Sequence, residues 1–176
     1  MTRTKPTRTR GGFSVVELVL VLSAFALLSG VVVPRVTGHL RSARDVRRLD
    51  HVKELRAAIE QYRMDRGQYP RAATNAEFGN WDVSHDGDFI PELVEAGYLD
   101  ESACDPVNDG TYHYRYYVYA GGSYGCEGDE TYFVLGIRNF ESAGFHTKNR
   151  GFFRCATRDW GDEFAYVTGG GASWSE

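Results

Sequence analysis

The chain has 176 residues, 42% hydrophobic and 25% charged, the size and composition of one folded domain with an appendage. Its net charge of −4 hides a gradient: residues 1–12 carry four bases and no acid, residues 35–66 nine bases against five acids, and residues 67–176 seven against eighteen. An acidic C-terminal part argues against broad phosphate-backbone binding, which needs clustered Lys and Arg, so no nucleic-acid partner is expected.

The first element is the apolar run Phe13 to Val33, FSVVELVLVLSAFALLSGVVV, whose one charge is Glu17. As a helix it is roughly 31 Å long, enough to cross a hydrocarbon core of about 30 Å. The basic residues ahead of it (Arg3, Lys5, Arg8, Arg10) keep the leader cytoplasmic and send the acidic part outward. Ala24-Phe25-Ala26 fits a secretory cleavage site, but cutting there would leave LLSGVVVP as a greasy new terminus. A plain membrane anchor accounts for the run but not for Glu17. A carboxylate at membrane depth costs on the order of 2.5–3.5 kcal/mol and so needs a partner or a function. Cleavage between Gly12 and Phe13 would supply one, an α-ammonium group four residues upstream.

Arg10-Gly11-Gly12-Phe13-Ser14-Val15-Val16-Glu17-Leu18 resembles the prepilin cleavage and methylation motif of type IV pilin-like proteins. The resemblance implies cutting after Gly12 by prepilin peptidase and N-methylation of Phe13. It also implies that Glu17 pairs with the terminal amine of an adjacent subunit during filament assembly, and that Pro34 loosens the helix where pilins commonly carry a proline.

Past Pro34, Leu49, Val52, Leu55, Ile59 and Tyr62 recur at helical spacing, giving an amphipathic helix with one face to bury. Pro34 and Gly30 predict a kink or a short unwound stretch near Val31–Arg35. Gly67 is placed to cap the helix, and Tyr69-Pro70 stops its continuation. A helix from Phe13 to Arg66 is roughly 80 Å long, so its second half must pack on the head. Arg35, Arg41, Arg44, Arg47 and Arg48 read as a solvated face touching lipid headgroups, or alternatively as contacts to the acidic heads of neighbouring subunits.

Tyr62 to Pro70 resembles the Y-x-x-x-x-G-x-Y-P region of type II secretion pseudopilins. Phe89 to Leu99, followed by Asp105-Pro106, resembles their loop leading to a D-P turn. The likeness extends to roughly residue 140. Tyr112 to Tyr119 and Thr131 to Ile137 alternate as strands around a glycine-rich hairpin loop, with Tyr112, Tyr114, Tyr116 and Val118 on one face. Short strands near Phe152–Cys155 and Phe164–Val167 complete the sheet, and Gly169-Gly170-Gly171 reads as a flexible tail. The tyrosines suit a sheet half covered by a helix, and Trp81, Trp160 and Trp174 show no pattern.

Cys104, Cys126 and Cys155 all fall in the exported part, where a disulfide persists, and no zinc spacing is present. Cys126 with Cys155 is the preferred pair, and Cys104 with either remains open. Major pseudopilins often hold Ca²⁺. Asp105, Asp109, Glu127, Asp129, Asp159 and Asp162 offer oxygens here but follow no calcium-loop pattern, so a solvated acidic surface is expected rather than a cofactor. The five histidines are dispersed and no catalytic motif occurs, so the expectation is a non-enzyme.

Together these elements predict an α+β fold in which a long N-terminal α-helix, half membrane-spanning and half amphipathic, packs against a small antiparallel β-sheet head. The segments are a basic leader (1–12, removed), a transmembrane assembly helix (13–34), an amphipathic helix (35–66) and the head with its tail (67–176). The resemblance implies a filament subunit of a type II secretion-like pseudopilus, stored in the bacterial inner membrane with its head outside the cytoplasm. Its implied partners are its own copies, other pilins or pseudopilins, the peptidase, and the inner-membrane assembly platform with its ATPase. A surface type IV pilin for adhesion, motility or DNA uptake is the alternative, and an anchored exported binding domain or enzyme the third.

Overall fold

The computed structural model describes residue 12 and residues 14–171, with residues 30–34 described by backbone alone. Leader residues 1–11, Phe13, the Pro34 side chain and Trp174 lie outside this set. The protein is α+β, with an N-terminal helix and a small antiparallel sheet.

Helix α1 spans Val15–Arg66, 52 residues. The Ser14 hydroxyl accepts from the Val16 N–H at 3.3 Å, and its carbonyl accepts from Leu18 at 3.1 Å, which makes Ser14 the N-cap. At the other end Gly67, with φ +73°, donates to the Arg63 carbonyl at 2.8 Å as the left-handed closing residue. The backbone stays helical through residues 30–34, so the unwound stretch expected at Pro34 does not form. Proline removes a single intrahelical donor, and the hydrogen-bonded turns on both sides carry the helix across it. Among the described residues no helix is long and apolar enough to cross a membrane, so the membrane-spanning half is not found there. The described apolar side chains begin at Val15 and stop at residue 29, short of the run in the sequence.

The chain divides into two compact units, one up to His39 and one from Leu40 onward. In the second unit, strands β1 (Asp82–Val83), β2 (Tyr114–Tyr119), β3 (Tyr132–Ile137) and β6 (Tyr166–Gly170) form an antiparallel sheet in the order β1-β2-β3-β6. β4 (Arg154–Cys155) and β5 (Arg158–Asp159) form a separate hairpin. The strand expected at Phe152–Cys155 therefore lies outside the main sheet. Two short helices, α2 (Pro91–Glu95) and α3 (Ala143–Lys148), sit in the connections.

Period-two alternation divides the strands between two cores. Tyr114, Tyr116, Phe133, Leu135 and Ile137 face Val52, Leu55, Ile59 and Tyr62 of α1, with Phe89, Ile90 and Leu93 closing one side. On the opposite face Tyr132, Val134 and Val167 pack against Trp81, Phe153, Trp160, Phe164 and the Cys126–Cys155 disulfide. The sheet is thus covered on both faces, not half covered, because Trp81 and side chains between Phe153 and Phe164 pack across its second face. Trp81 and Trp160, patternless in the sequence, are the bulk of that second layer.

Gly169 and Gly170 are strand residues paired with Val134 and Phe133, not a flexible tail. A side chain at Gly169 would put its Cβ 2.2 Å from the Phe153 ring, and one at Gly136 would lie 2.3 Å from Phe164. The absence of a side chain there is what leaves room for those two rings against the sheet.

Candidate assembly site

Two constructions have functional potential: the start of α1, and an ionic cluster that binds α1 to the head.

Val15, Val16, Leu18, Val19, Leu20, Val21, Leu22, Phe25, Leu27 and Leu28 are all exposed, from 46% to 77% of their surface. This part of the helix is apolar around its whole circumference, which in a folded protein marks a surface awaiting lipid or other helices. The Ser23 hydroxyl donates to the Val19 carbonyl at 2.8 Å, so it satisfies its polarity within the helix. Glu17 lies in the first turn, three residues after the N-cap, where the helix dipole favours an acid. Its carboxylate makes no ion pair or hydrogen bond with another described residue. Gly12 is exposed just ahead of the helix. Phe13, the expected source of a partner charge, is outside the described residues.

The second construction centres on Arg48, which is completely buried. Its Nε and Nη2 donate to the two carboxylate oxygens of Asp105 at 2.6 and 2.8 Å, and its Nη1 donates to Asp45 at 2.7 Å and Glu141 at 3.0 Å. Arg44 forks onto Glu141 at 2.7 and 2.5 Å. The carboxylates also take backbone donors. Asp45 accepts from the N–H groups of Glu141 and Ser142, and Asp105 from those of Val107 and Asn108. Two turns of α1 are thereby bound to two loops of the head. Burial lowers the basicity of Arg48, but its hydrogen bonds to Asp105, Glu141 and Asp45 outweigh that and hold it above the ordinary guanidinium value. Glu141 is held down at about 2, chiefly by the Arg44 hydrogen bonds, against the opposing effect of burial.

This corrects the reading of the Arg35–Arg48 bases as one solvated or intermolecular face. Arg35, Arg41 and Arg47 are exposed, whereas Arg44 and Arg48 are engaged by the chain's own acids. A signal for this was present: Arg48 stands in phase with Val52, Leu55, Ile59 and Tyr62, a cation on the apolar stripe.

The Tyr62–Pro70 segment and the Asp105-Pro106 turn acquire physical roles. Tyr62 and Tyr69 are buried, Gly67 turns the chain, and the Pro70 carbonyl accepts from the Tyr116 hydroxyl at 2.7 Å, so this segment returns the chain from α1 to the sheet. Asp105 of the D-P turn is the main anion facing Arg48.

Cys126 and Cys155 are bonded, with Cα atoms 4.6 Å apart, and Cys104 is a free, exposed thiol. Among the described residues no three His, Cys, Asp or Glu side chains are placed to hold a metal ion. Comparison with protein-family models, curated proteins and solved structures returned no match.

Proposed function

We propose that the chain is a structural filament subunit of the type IV pilin-like class, built for a type II secretion-like pseudopilus. The observation that carries the reading is the start of α1: an all-round apolar, uncovered helix whose one acid follows a Gly-Phe junction by four residues. In this reading prepilin peptidase cuts after Gly12 and Phe13 is N-methylated. Residues 13–34 hold the subunit in the inner membrane, head outside, until an assembly platform and its ATPase extract it.

Glu17 then meets the new amine of a neighbouring copy. In a dehydrated bundle of helices an unpaired carboxylate is strongly disfavoured, so each incoming subunit is selected by the charge it brings. Packing of apolar helices provides the remaining adhesion. The Arg48 cluster suits this role, because a subunit pulled by its helix must keep its head attached.

Replacing Glu17 by Gln tests the mechanism, since Gln fits the same place in the first helical turn without the charge. Processing is expected to continue while polymer falls at least tenfold. Normal polymer from Glu17→Gln would remove the electrostatic step. Short periplasmic polymers with a secretion defect on deletion fit the pseudopilus, and long surface fibres would instead make the chain a type IV pilin.

A further inference from the structure

Two histidines meet where β1 and β2 pair. The His85 and His113 rings lie 4.7 Å apart between centroids, and the Phe78 ring packs edge-on against both, at 5.0 and 6.0 Å. Phe78 belongs to a one-turn 3-10 helix, Ala76–Phe78, and is half-buried against the second core. Its neighbours Ala76, Glu77, Gly79 and Asn80 are exposed, so this ring is what seats the turn. The turn closes on itself through Asn75, whose carbonyl accepts from the N–H groups of Phe78 and Asn80 at 3.2 and 2.8 Å.

The hydrogen bonds of His113 dictate where a further proton can go. Its Nδ1 lies 3.0 Å from the Asp109 carbonyl, which can only accept, so Nδ1 carries the hydrogen. Its Nε2 accepts from Arg115 Nε at 3.0 Å. A second proton must therefore land on Nε2, where it meets the Arg115 N–H and turns a hydrogen bond into a contact between two cations. His85 offers no outlet, because its Nδ1 is enclosed without a partner among the described residues.

The surrounding charges do not relieve this. Arg115 and Arg138 both oppose a positive charge on His113. The Asp109 carboxylate favours one, but it is exposed and already accepts from the N–H groups of Thr111 and Tyr112 at 2.9 and 2.8 Å. Asp86 is taken up by the Asn75 side chain, and Asp82 by the N–H groups of Ala73 and Ile90. A protonated pair must separate or reach water. β2 cannot yield, since Arg115 and Tyr116 are paired on one side with β1 and on the other with β3. The turn held by Phe78 can.

We infer that residues 75–80 form an acid-released flap, latched through Phe78 onto the neutral His85–His113 pair, which opens on acidification while the sheet beneath stays folded. The inference goes beyond the filament reading and does not rest on it. Burial holds His113 down at about 4, whereas in water it returns to its ordinary 6.5. The open form thus binds the proton more readily than the closed one. Opening is rarest above pH 6.5 and grows as the pH falls towards 4. Between pH 7 and 4.5 the open population is expected to rise at least about tenfold.

Hydrogen exchange of the full chain in mild detergent, read by mass spectrometry and corrected for the intrinsic rate at each pH, tests this. Over that pH range the amides of residues 75–80 are expected to lose about tenfold or more in protection, while those of β3 keep theirs. His113→Gln cannot take up the proton and should abolish the dependence. Phe78→Ala keeps both histidines but removes the latch, and its turn should exchange rapidly at pH 7 and 4.5 alike. Urea midpoints at pH 7 show whether each variant is folded. If His113→Gln is not, the wild-type comparison of the two segments decides alone. Protection of residues 75–80 that is unchanged at pH 4.5, or lost only together with that of β3, overturns the flap. So does a folded His113→Gln protein with the wild-type pH dependence. None of these results bears on the filament.

Discussion

Replacing Arg48 by Met removes the buried cation of the cluster and leaves Asp45, Asp105 and Glu141 around an apolar side chain. Breaking a buried ion pair from one side costs about 3–5 kcal/mol, because the remaining charge is uncompensated. The structure limits the loss. Asp45 keeps two backbone donors at 3.0 and 2.9 Å, Asp105 keeps Val107 at 2.8 Å, and Glu141 keeps Arg44. A loss of about 4 kcal/mol is expected, roughly 10–15 °C in Tm for a head of this size. Arg48→Lys keeps the charge but not the fork onto Asp105, and should cost about half as much. The assay is urea unfolding of the full chain in mild detergent, followed by circular dichroism. Adding Asp105→Asn to Arg48→Met should recover about 1 kcal/mol or more by removing one of the stranded charges. If Arg48→Met unfolds within about 1 kcal/mol of wild type, the cluster does not hold α1 to the head and the reasoning fails.

The remaining expectations concern protons and the disulfide. His113 is fully buried, its Nδ1 3.0 Å from the Asp109 carbonyl and its Nε2 accepting from Arg115 at 3.0 Å, with His85 alongside at 4.7 Å between ring centroids. Burial, aided by Arg115, His85 and Arg138, pushes it down from 6.5 to about 4. The folded form therefore binds fewer protons than the unfolded one. The His113 contribution is complete above pH 6.5 and is lost as pH falls through about 4, up to about 3 kcal/mol in all. Asp82, pushed up to about 6 by burial, works in the opposite direction from pH 6 down to 3.8. The histidine is isolated by comparing His113→Gln with wild type in urea midpoints from pH 7 to 4, where the variant should lose less stability. Equal slopes would exclude it. Reducing Cys126–Cys155, which are 29 residues apart, should cost about 3–4 kcal/mol by loop entropy. Because Trp81 and Trp160 both belong to that core, their emission should shift at a lower urea concentration than the helical signal of α1. Coincident transitions after reduction would show that the two cores do not separate.

Much of this architecture was legible in the sequence because it follows from periodicity. The stripe from Leu49 to Tyr62, the alternation through Tyr114 to Val118 and the Gly67 stop all have local causes, whereas the Cys126–Cys155 pair, 29 residues apart, was a preference among pairings the sequence left open. What escaped depends on contacts distant in sequence. Arg48 reads as one more base after an apolar run, yet two of its three partners, Asp105 and Glu141, lie 57 and 93 residues away. Gly169 and Gly170 looked like a tail because composition reports freedom of the backbone, not the Phe153 ring that requires it. The second layer is not legible in the sequence because its elements between Phe153 and Phe164 are only two or three residues long, too short for a period, and their packing rests on single large side chains. Glu17 was legible as an anomaly, an acid in an apolar helix. Its partner, however, is proposed on another molecule.

The most direct test of the filament account is the intact mass and N-terminal peptide of the protein isolated from cells. The account predicts a chain that begins at Phe13 and carries a methyl group on its α-amine. A chain that retains its basic leader, or one cut after Ala26, would contradict it.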